Sequence, residues 1–156
     1  TFGMGFDEIL IFAIGLNVTA GLGAALFAWV DDWMGPKPTI LVALAGLIGF
    51  GTATLLVTDK GTFMALALGL GMFVGPAQAA SRSMLARLSH PDQVTEMFGL
   101  YALSGKSIAF SGPLLFGLVT TATDSQRWGM ATIIALLLAG ALLLLRVRSP
   151  ANDDLG

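Results

Sequence analysis

The feature that most constrains this chain is a series of five long apolar segments separated by short polar connections. An α-helix rises about 1.5 Å per residue, so roughly 20 apolar residues cross the ~30 Å hydrocarbon core of a bilayer. Lipid cannot satisfy backbone polar groups, so such segments cross it as helices. The sequence therefore predicts an all-α, polytopic membrane helix bundle. Its five spans lie at about Ile9–Val30, Thr39–Val57, Thr62–Leu85, Thr95–Thr121 and Trp128–Leu145.

The composition excludes several classes of function. Charged residues make up 12% of the chain and hydrophobic residues 55%, whereas soluble domains carry about 25% charged residues. The net charge of −2 argues against a nucleic-acid partner. The chain has no cysteine and a single histidine, His90, in a polar loop, so we expect no metal site and no cofactor. No paired carboxylates or activated nucleophile stand out, which argues against an enzyme.

Positive charges are distributed unevenly over the two sides that five spans define. Short cytoplasmic loops are enriched in Lys and Arg. The richer side is therefore predicted to be cytoplasmic, with the carboxyl terminus on it and Thr1 outside. The richer side holds Lys37, Arg82, Arg87, Arg146 and Arg148, and the other holds Lys60 and Arg127.

Glycine is abundant within the spans, with 20 in the chain. Lipid supplies no hydrophobic force between helices, and small residues allow helix backbones to approach closely. Two interpretations are open: static packing, or helices that rock between states. The predicted small-residue pairs are Gly71 with Gly75, Gly21 with Ala25, and Gly105 with Ala109.

Two prolines are predicted to kink their spans. Pro76 and Pro113 each follow a glycine inside an apolar segment. A proline in a helix removes one backbone donor and bends the helix.

Lys106 lies in the middle of the fourth span, where charge is costly. Helical spacing places it on a face of small residues, which we expect to pack against other helices. An ionisable side chain at this depth commonly lines a pathway or meets a partner. The alternatives are snorkelling to the interface and structural pairing. The face reads Gly99, Ala102, Lys106, Ala109 and Pro113.

Other spans carry single polar residues at comparable depth. Asn17 lies in the first span and Gln78 in the third, on similar small-residue faces. Each is open to a simpler interpretation as an interhelical hydrogen bond. Together with Lys106 and Tyr101 they form the predicted substrate cavity.

The connection "DDWMGPKPTIL" resembles the cytoplasmic signature of the major facilitator superfamily, an Asp-x-x-Gly-x-Lys/Arg turn between two spans. The matching positions are Asp32, Gly35 and Lys37. Ala28 stands where a glycine is usual, and Pro36 where a basic residue is usual. These departures resemble the weaker copy in the second half of such transporters.

The run from Gly75 to Gly117 resembles the vacuole-effluxer-like permeases of that superfamily, which are related to autophagy-linked amino-acid exporters. These proteins have twelve spans, so the resemblance implies that the present five are the eighth to the twelfth. Residues 1–148 would then form a partial carboxyl-terminal bundle, with a disordered cytoplasmic tail at 149–156. The missing amino-terminal half would be a partner, and the start at Thr1 would lie inside a longer protein.

The resemblance implies a secondary transporter that moves a small solute, with an amino acid as one candidate, by alternating access. We expect a bacterial inner membrane as the location. The signature would form a cytoplasmic gate; a set of solvated orientation charges is the alternative. A non-transporting membrane scaffold or assembly subunit is the alternative function. The gate residues are Asp32, Gly35, Lys37, Arg82 and Glu96.

Overall fold

The computed structural model describes residues 5–147, so the tail predicted at 149–156 lies outside the described residues. Over that range the chain forms five long α-helices and one short 3₁₀ turn, Pro91–Gln93. All five helices are long and apolar enough to cross a membrane, which confirms the all-α class and the five spans. They are α1 (Phe6–Met34), α2 (Pro36–Leu56), α3 (Lys60–Leu88), α4 (Val94–Thr123) and α5 (Gln126–Arg146).

Most helix ends extend beyond the predicted spans, by about one turn or less. The reason is that hydropathy marks the part of a helix that lipid can surround, whereas local backbone geometry decides where the helix stops. Helix α1 continues through two aspartates and ends only at Gly35, where φ is +84°. Helix α4 ends at Asp124, whose φ of +52° is left-handed.

The start of α3 is held by its own side chains. The Asp59 carboxylate accepts hydrogen bonds from the Thr62 backbone N–H at 2.9 Å and the Thr62 hydroxyl at 3.0 Å. This is the geometry of a helix N-cap, and the Thr62 backbone hydrogen bond holds the pKa of Asp59 below its usual value. Lys60 also pairs with Glu8 at 2.7 Å, which links the first turns of α3 and α1.

The helices group into two compact units. The first unit contains α1, α2 and the part of α3 as far as Ala80. The second contains the rest of α3, the 3₁₀ turn, α4 and α5.

A glycine seam joins α1 and α3 in the first unit. A Cβ atom added at Gly71 would lie 2.5 Å from the Thr19 hydroxyl oxygen, and one at Gly75 would overlap the Ala20 carbonyl. Only a residue without a side chain allows this approach. The predicted packing role of the Gly71 and Gly75 pair is therefore confirmed.

A third seam position differs from the prediction. Gly23 is buried, and a Cβ there would overlap the backbone of Met72, whereas a Cβ at Gly21 would meet open space. Two residues turn an α-helix by about 200°, so these glycines lie on opposite sides of α1. The contact surface of α1 thus includes Gly23, and the expected pair of Gly21 with Ala25 does not contribute to it.

Three phenylalanines fill the space between α1, α2 and α3. The Phe73 ring lies 5.7 Å from the Phe27 ring in an edge-to-face arrangement, and 5.7 Å from the Phe50 ring. A Cβ at Gly46 would lie 2.5 Å from Phe73, and one at Gly69 would lie 2.5 Å from Phe50. The glycines therefore provide the volume that the rings occupy.

In the second unit, α4 and α5 pack where α4 ends and α5 begins. Gly129 is buried, and a Cβ there would overlap the Thr120 hydroxyl and lie 3.0 Å from the Phe116 ring. Gly105 has open space instead. The predicted pair of Gly105 with Ala109 therefore does not contact α5.

The glycine seam predicts different effects for two neighbouring substitutions. Gly23→Ala forces α1 and α3 apart, because the added methyl group overlaps the Met72 backbone; overpacking of this kind costs about 1–3 kcal/mol. Gly21→Ala is the matched control and should leave stability unchanged or raise it. Thermal unfolding of the purified protein in detergent measures both. Equal midpoints for the two variants would contradict the seam.

Candidate functional site

Lys106 lies near the middle of α4 with its side chain exposed. It is twelve residues beyond Val94, so its Cα lies about 18 Å along the helix axis. Among the described residues no hydrogen bond or ion pair engages its ammonium group. The structure thus presents an exposed cation halfway along an apolar helix.

The helix α5 does not cover the Lys106 face of α4. The half-buried side chains of α4 include Tyr101 and Phe116, of which Phe116 packs against Gly129. Lys106 is exposed and lies about 80° around α4 from Phe116. The predicted small-residue face is accordingly exposed within its own unit, at Gly99, Ala102, Ala109 and Pro113.

Large apolar side chains are exposed on the same side of α4 as Lys106. Leu103 is 63% exposed and Phe110 is 75% exposed. Large apolar side chains at such exposure are suited to contact with lipid. Leu103 lies three residues before Lys106 and Phe110 four residues after it, so these apolar side chains flank Lys106 on the same side of α4.

The two amide side chains of the predicted cavity are also exposed. The Asn17 side-chain N–H donates to the Ala13 carbonyl at 2.9 Å, within its own helix. That bond satisfies one donor and leaves the Asn17 carbonyl oxygen for another partner. Asn17 and Gln78 belong to the first unit, and Lys106 and Tyr101 to the second. Their convergence on one cavity therefore stays a prediction.

The signature turn has a geometry that explains its glycine. Gly35 alone separates α1 from α2, with φ +84° and ψ 169°. Residues with side chains rarely adopt this conformation. The Gly35 N–H donates to the Asp31 carbonyl at 2.9 Å, and its carbonyl accepts from the Thr39 hydroxyl at 2.8 Å. Thr39 is only 1% exposed, so this closure of the turn is buried.

A cleft of about 120 Å³ lies beside this turn, within the first unit. The end of α1 contributes Asp31 and Asp32, the first turns of α2 contribute Thr39, and α3 contributes Pro76. One carboxylate oxygen of Asp31, Oδ1, is buried and has no hydrogen-bond partner among the described residues. The cleft is therefore acidic and open to a donor from elsewhere.

Sequence reasoning singled out Asp32 and missed Asp31 and Thr39. The Asp-x-x-Gly spacing identifies only Asp32. Which of the two adjacent aspartates is buried depends instead on the rotation of each residue about the axis of α1. The adjacent "DD" was the available signal for Asp31. A threonine four residues after the turn glycine was the signal for Thr39, because its hydroxyl reaches the carbonyl one turn back.

The remaining gate and kink residues differ in their exposure. Arg82 and Glu96 are exposed and belong to the second unit. Pro76 is fully buried inside α3, and Pro113 is exposed inside α4. Pairing of Asp32 with Arg82, and bending at either proline, stay predictions. Over residues 5–147 no cluster of acidic and histidine side chains is arranged to hold a metal ion.

Residues 38–152 match the family model described as "Vacuole effluxer Atg22 like". The chain belongs to this family. The match covers most of the 156 residues and includes α3, α4, α5 and all but the first two residues of α2.

Individual relatives agree with the family match. The chain is 32% identical over 89 residues to "Autophagy-related protein 22" of Cryptococcus neoformans var. neoformans, which covers 57% of this chain and 16% of that protein. It is 24% identical over 152 residues to "Uncharacterized MFS-type transporter YxiO" of Bacillus subtilis, covering 97% of this chain and 36% of that protein. The chain therefore spans about a third or less of these two relatives. No solved structure matches it.

The turn geometry predicts that alanine destabilises the protein at Gly35 but not at Gly49. Gly35→Ala places a side chain at a φ of +84° and should destabilise the protein by about 1–3 kcal/mol. Gly49→Ala is the control, because Gly49 lies inside α2 with open space at its Cβ position; alanine favours a helix there. Unfolding midpoints in detergent test the pair. A Gly35→Ala midpoint equal to that of the wild type would contradict the turn geometry.

Proposed function

We propose that the protein is part of a secondary active transporter that moves a small solute across a membrane by alternating access. The observation that carries the proposal is Lys106, an exposed cation in the middle of an apolar helix, on a face that α5 leaves uncovered. The family match and the five membrane-length helices support it.

Depth favours a cavity over snorkelling for Lys106. Helix α4 has 30 residues and so measures roughly 45 Å, longer than the ~30 Å hydrocarbon core. With the core centred on the helix, the Lys106 Cα lies roughly 10 Å inside it. A charge at that depth normally faces a wet cavity or a partner. We assign Lys106 to the wall of a solute crevice.

An anionic group fits that position. An ammonium ion in a low-dielectric site binds a carboxylate with a charge-assisted hydrogen bond. An amino acid supplies such a carboxylate, and the amides of Asn17 and Gln78 offer both donors and acceptors for its other polar groups. We include Tyr101 in the same wall because its phenol is half-buried on α4.

Every Asp and Glu in residues 5–147 lies in a connection or within the first or last turn of a helix. A proton-coupling carboxylate at mid-membrane would therefore come from outside this range.

We assign the gate to the signature turn. Asp32 lies in the last turn of α1, three residues before Gly35, and Lys37 lies in the first turn of α2. Arg82 lies near the end of α3, and Glu96 lies in the first turn of α4. An exposed ion pair is worth under ~1 kcal/mol, and burial on closure would strengthen it. We propose that Asp32 pairs with Arg82 when this side closes, with Glu96 as a third member.

The topology of the whole transporter extends the proposal. The five helices correspond to the eighth to twelfth of a twelve-helix protein, and an amino-terminal half would provide the opposite wall of the crevice. The nearly full-length match to a Bacillus protein supports a bacterial inner membrane. The charge distribution over the connections supports a cytoplasmic carboxyl terminus.

Substitution of Lys106 tests the crevice. Transport of an amino acid panel by the full-length protein in proteoliposomes should fall about tenfold with Lys106→Ala, as expected for loss of a hydrogen bond to a charged group. Lys106→Arg should retain part of the activity. Arg127→Gln is the control, because Arg127 is an exposed cation at the start of α5. Unchanged kinetics in Lys106→Ala would remove Lys106 from the site. A stoichiometric protein complex without transport of any solute would favour a scaffold instead.

Charge reversal tests the gate independently. Asp32→Lys and Arg82→Glu should each reduce transport, because like charges oppose closure, and the double variant should recover part of it. Pairing Arg82→Glu with Asp92→Lys provides the control, since Asp92 is an exposed carboxylate in the connection before α4. Equal behaviour of the two double variants would rule out the proposed pairing.

A further inference from the structure

The cleft beside the signature turn contains a carboxylate oxygen that no hydrogen-bond donor reaches. The cleft has a volume of about 120 Å³ and is lined in part by Asp31. Asp31 Oδ1 is buried and has no partner among residues 5–147. Of the described residues that line the cleft, none is basic. A buried carboxylate oxygen without a donor or a countercharge is costly, so the cleft favours a positive charge beside Asp31.

The surroundings of the cleft strengthen this preference. The carboxyl end of a helix carries partial negative charge, and the last turn of α1 contains no basic residue. Asp32, which is exposed, adds a second carboxylate to the lining. The remaining lining residues are apolar, among them Phe27, Pro76 and Ala80. An apolar wall screens the field of the carboxylates weakly.

The size of the cleft and its oxygen atoms select an inorganic ion. A water molecule takes up roughly 30 Å³, so the cleft has room for an ion with a few waters. Pockets for organic ligands are larger, at about 300–1,000 Å³. The Thr39 hydroxyl also lines the cleft. It donates to the Gly35 carbonyl at 2.8 Å, and its oxygen keeps lone pairs that can bind a cation.

The ligand set favours a singly charged ion. Ca²⁺ takes about six to eight oxygen ligands and Mg²⁺ retains several waters, whereas residues 5–147 hold no group of three or more acidic and histidine side chains arranged for a metal. A carboxylate is a ligand of high field strength, which favours the smaller Na⁺ over K⁺. The carboxyl ends of helices coordinate Na⁺ in several transporters.

We propose that this cleft binds a sodium ion through Asp31 Oδ1 and the Thr39 hydroxyl oxygen, with waters completing the coordination. The ion neutralises the buried carboxylate and joins the last turn of α1 to the first turn of α2 across Gly35. The site is separate from Lys106 and requires no solute.

Binding of radioactive sodium to the purified full-length protein in detergent tests the proposal. The measurement contains no solute. Wild-type protein should bind about one sodium ion per chain, and potassium should compete about tenfold more weakly. Asp31→Asn should weaken sodium binding about tenfold or more, because the charge is removed. Asp92→Asn is the control for an exposed carboxylate in a connection.

A second variant fills the cleft and leaves its carboxylates in place. Ala28 lines the cleft, so Ala28→Leu should block sodium binding by occupying the space of the ion. Ala25→Leu is the matched control, because Ala25 is exposed on α1 outside the lining. Sodium chloride should raise the unfolding midpoint of the wild type and of Ala25→Leu by about 2–4 °C over choline chloride at equal ionic strength. The midpoint of Ala28→Leu should not respond.

Three results would overturn the proposal. The first is equal stabilisation of the wild type by sodium, potassium and choline, as expected if a basic side chain from elsewhere occupies the cleft. The second is sodium binding by Asp31→Asn or Ala28→Leu at wild-type affinity. The third is stoichiometric displacement of sodium by Mg²⁺ or Ca²⁺, which would identify a divalent site instead. Because no solute is present, these results are independent of whether Lys106 binds one.

Discussion

The close contact of two helix backbones underlies the first unit. In hydrocarbon the backbone hydrogen bonds are satisfied inside each helix, so helices have little reason to associate except van der Waals contact. Helices α1 and α3 obtain that contact through Gly23, Gly71 and Gly75, where no side chain separates the backbones. The three phenylalanine rings pack beside this seam. Because these three positions have no side chain, the much larger phenylalanine rings can pack together beside the seam.

The sequence predicted the elements far better than their contacts. Five apolar segments specify five helices because length and hydropathy alone determine what can cross a bilayer. Contacts depend on rotation about each helix axis, and this accounts for the difference between Gly21 and Gly23. Every glycine in a span looks alike in the sequence, whereas only those facing a neighbour are required.

The candidate site shows the same limit. The signature spacing correctly indicated a turn at Gly35, because an Asp-x-x-Gly-x-Lys turn requires a residue free to adopt positive φ. It did not indicate that Asp31 contributes the buried oxygen of the neighbouring cleft. Lys106 was visible in the sequence because charge in an apolar segment is unusual. Asn17 and Gln78, predicted to share its cavity, belong to the other unit, and no local pattern along the chain records how separate helices are assembled.

The joint between α1 and α2 has a mechanical consequence. A single residue, Gly35, separates the two helices, and Pro36 and Pro38 follow it at once. The proline rings fix φ near −65° on the α2 side, so freedom to bend is concentrated at one pair of torsions. No loop lies between α1 and α2, so the torsions of Gly35 alone set the angle between the two helix axes. The hydrogen bonds of Gly35 with Asp31 and Thr39 hold those torsions in place.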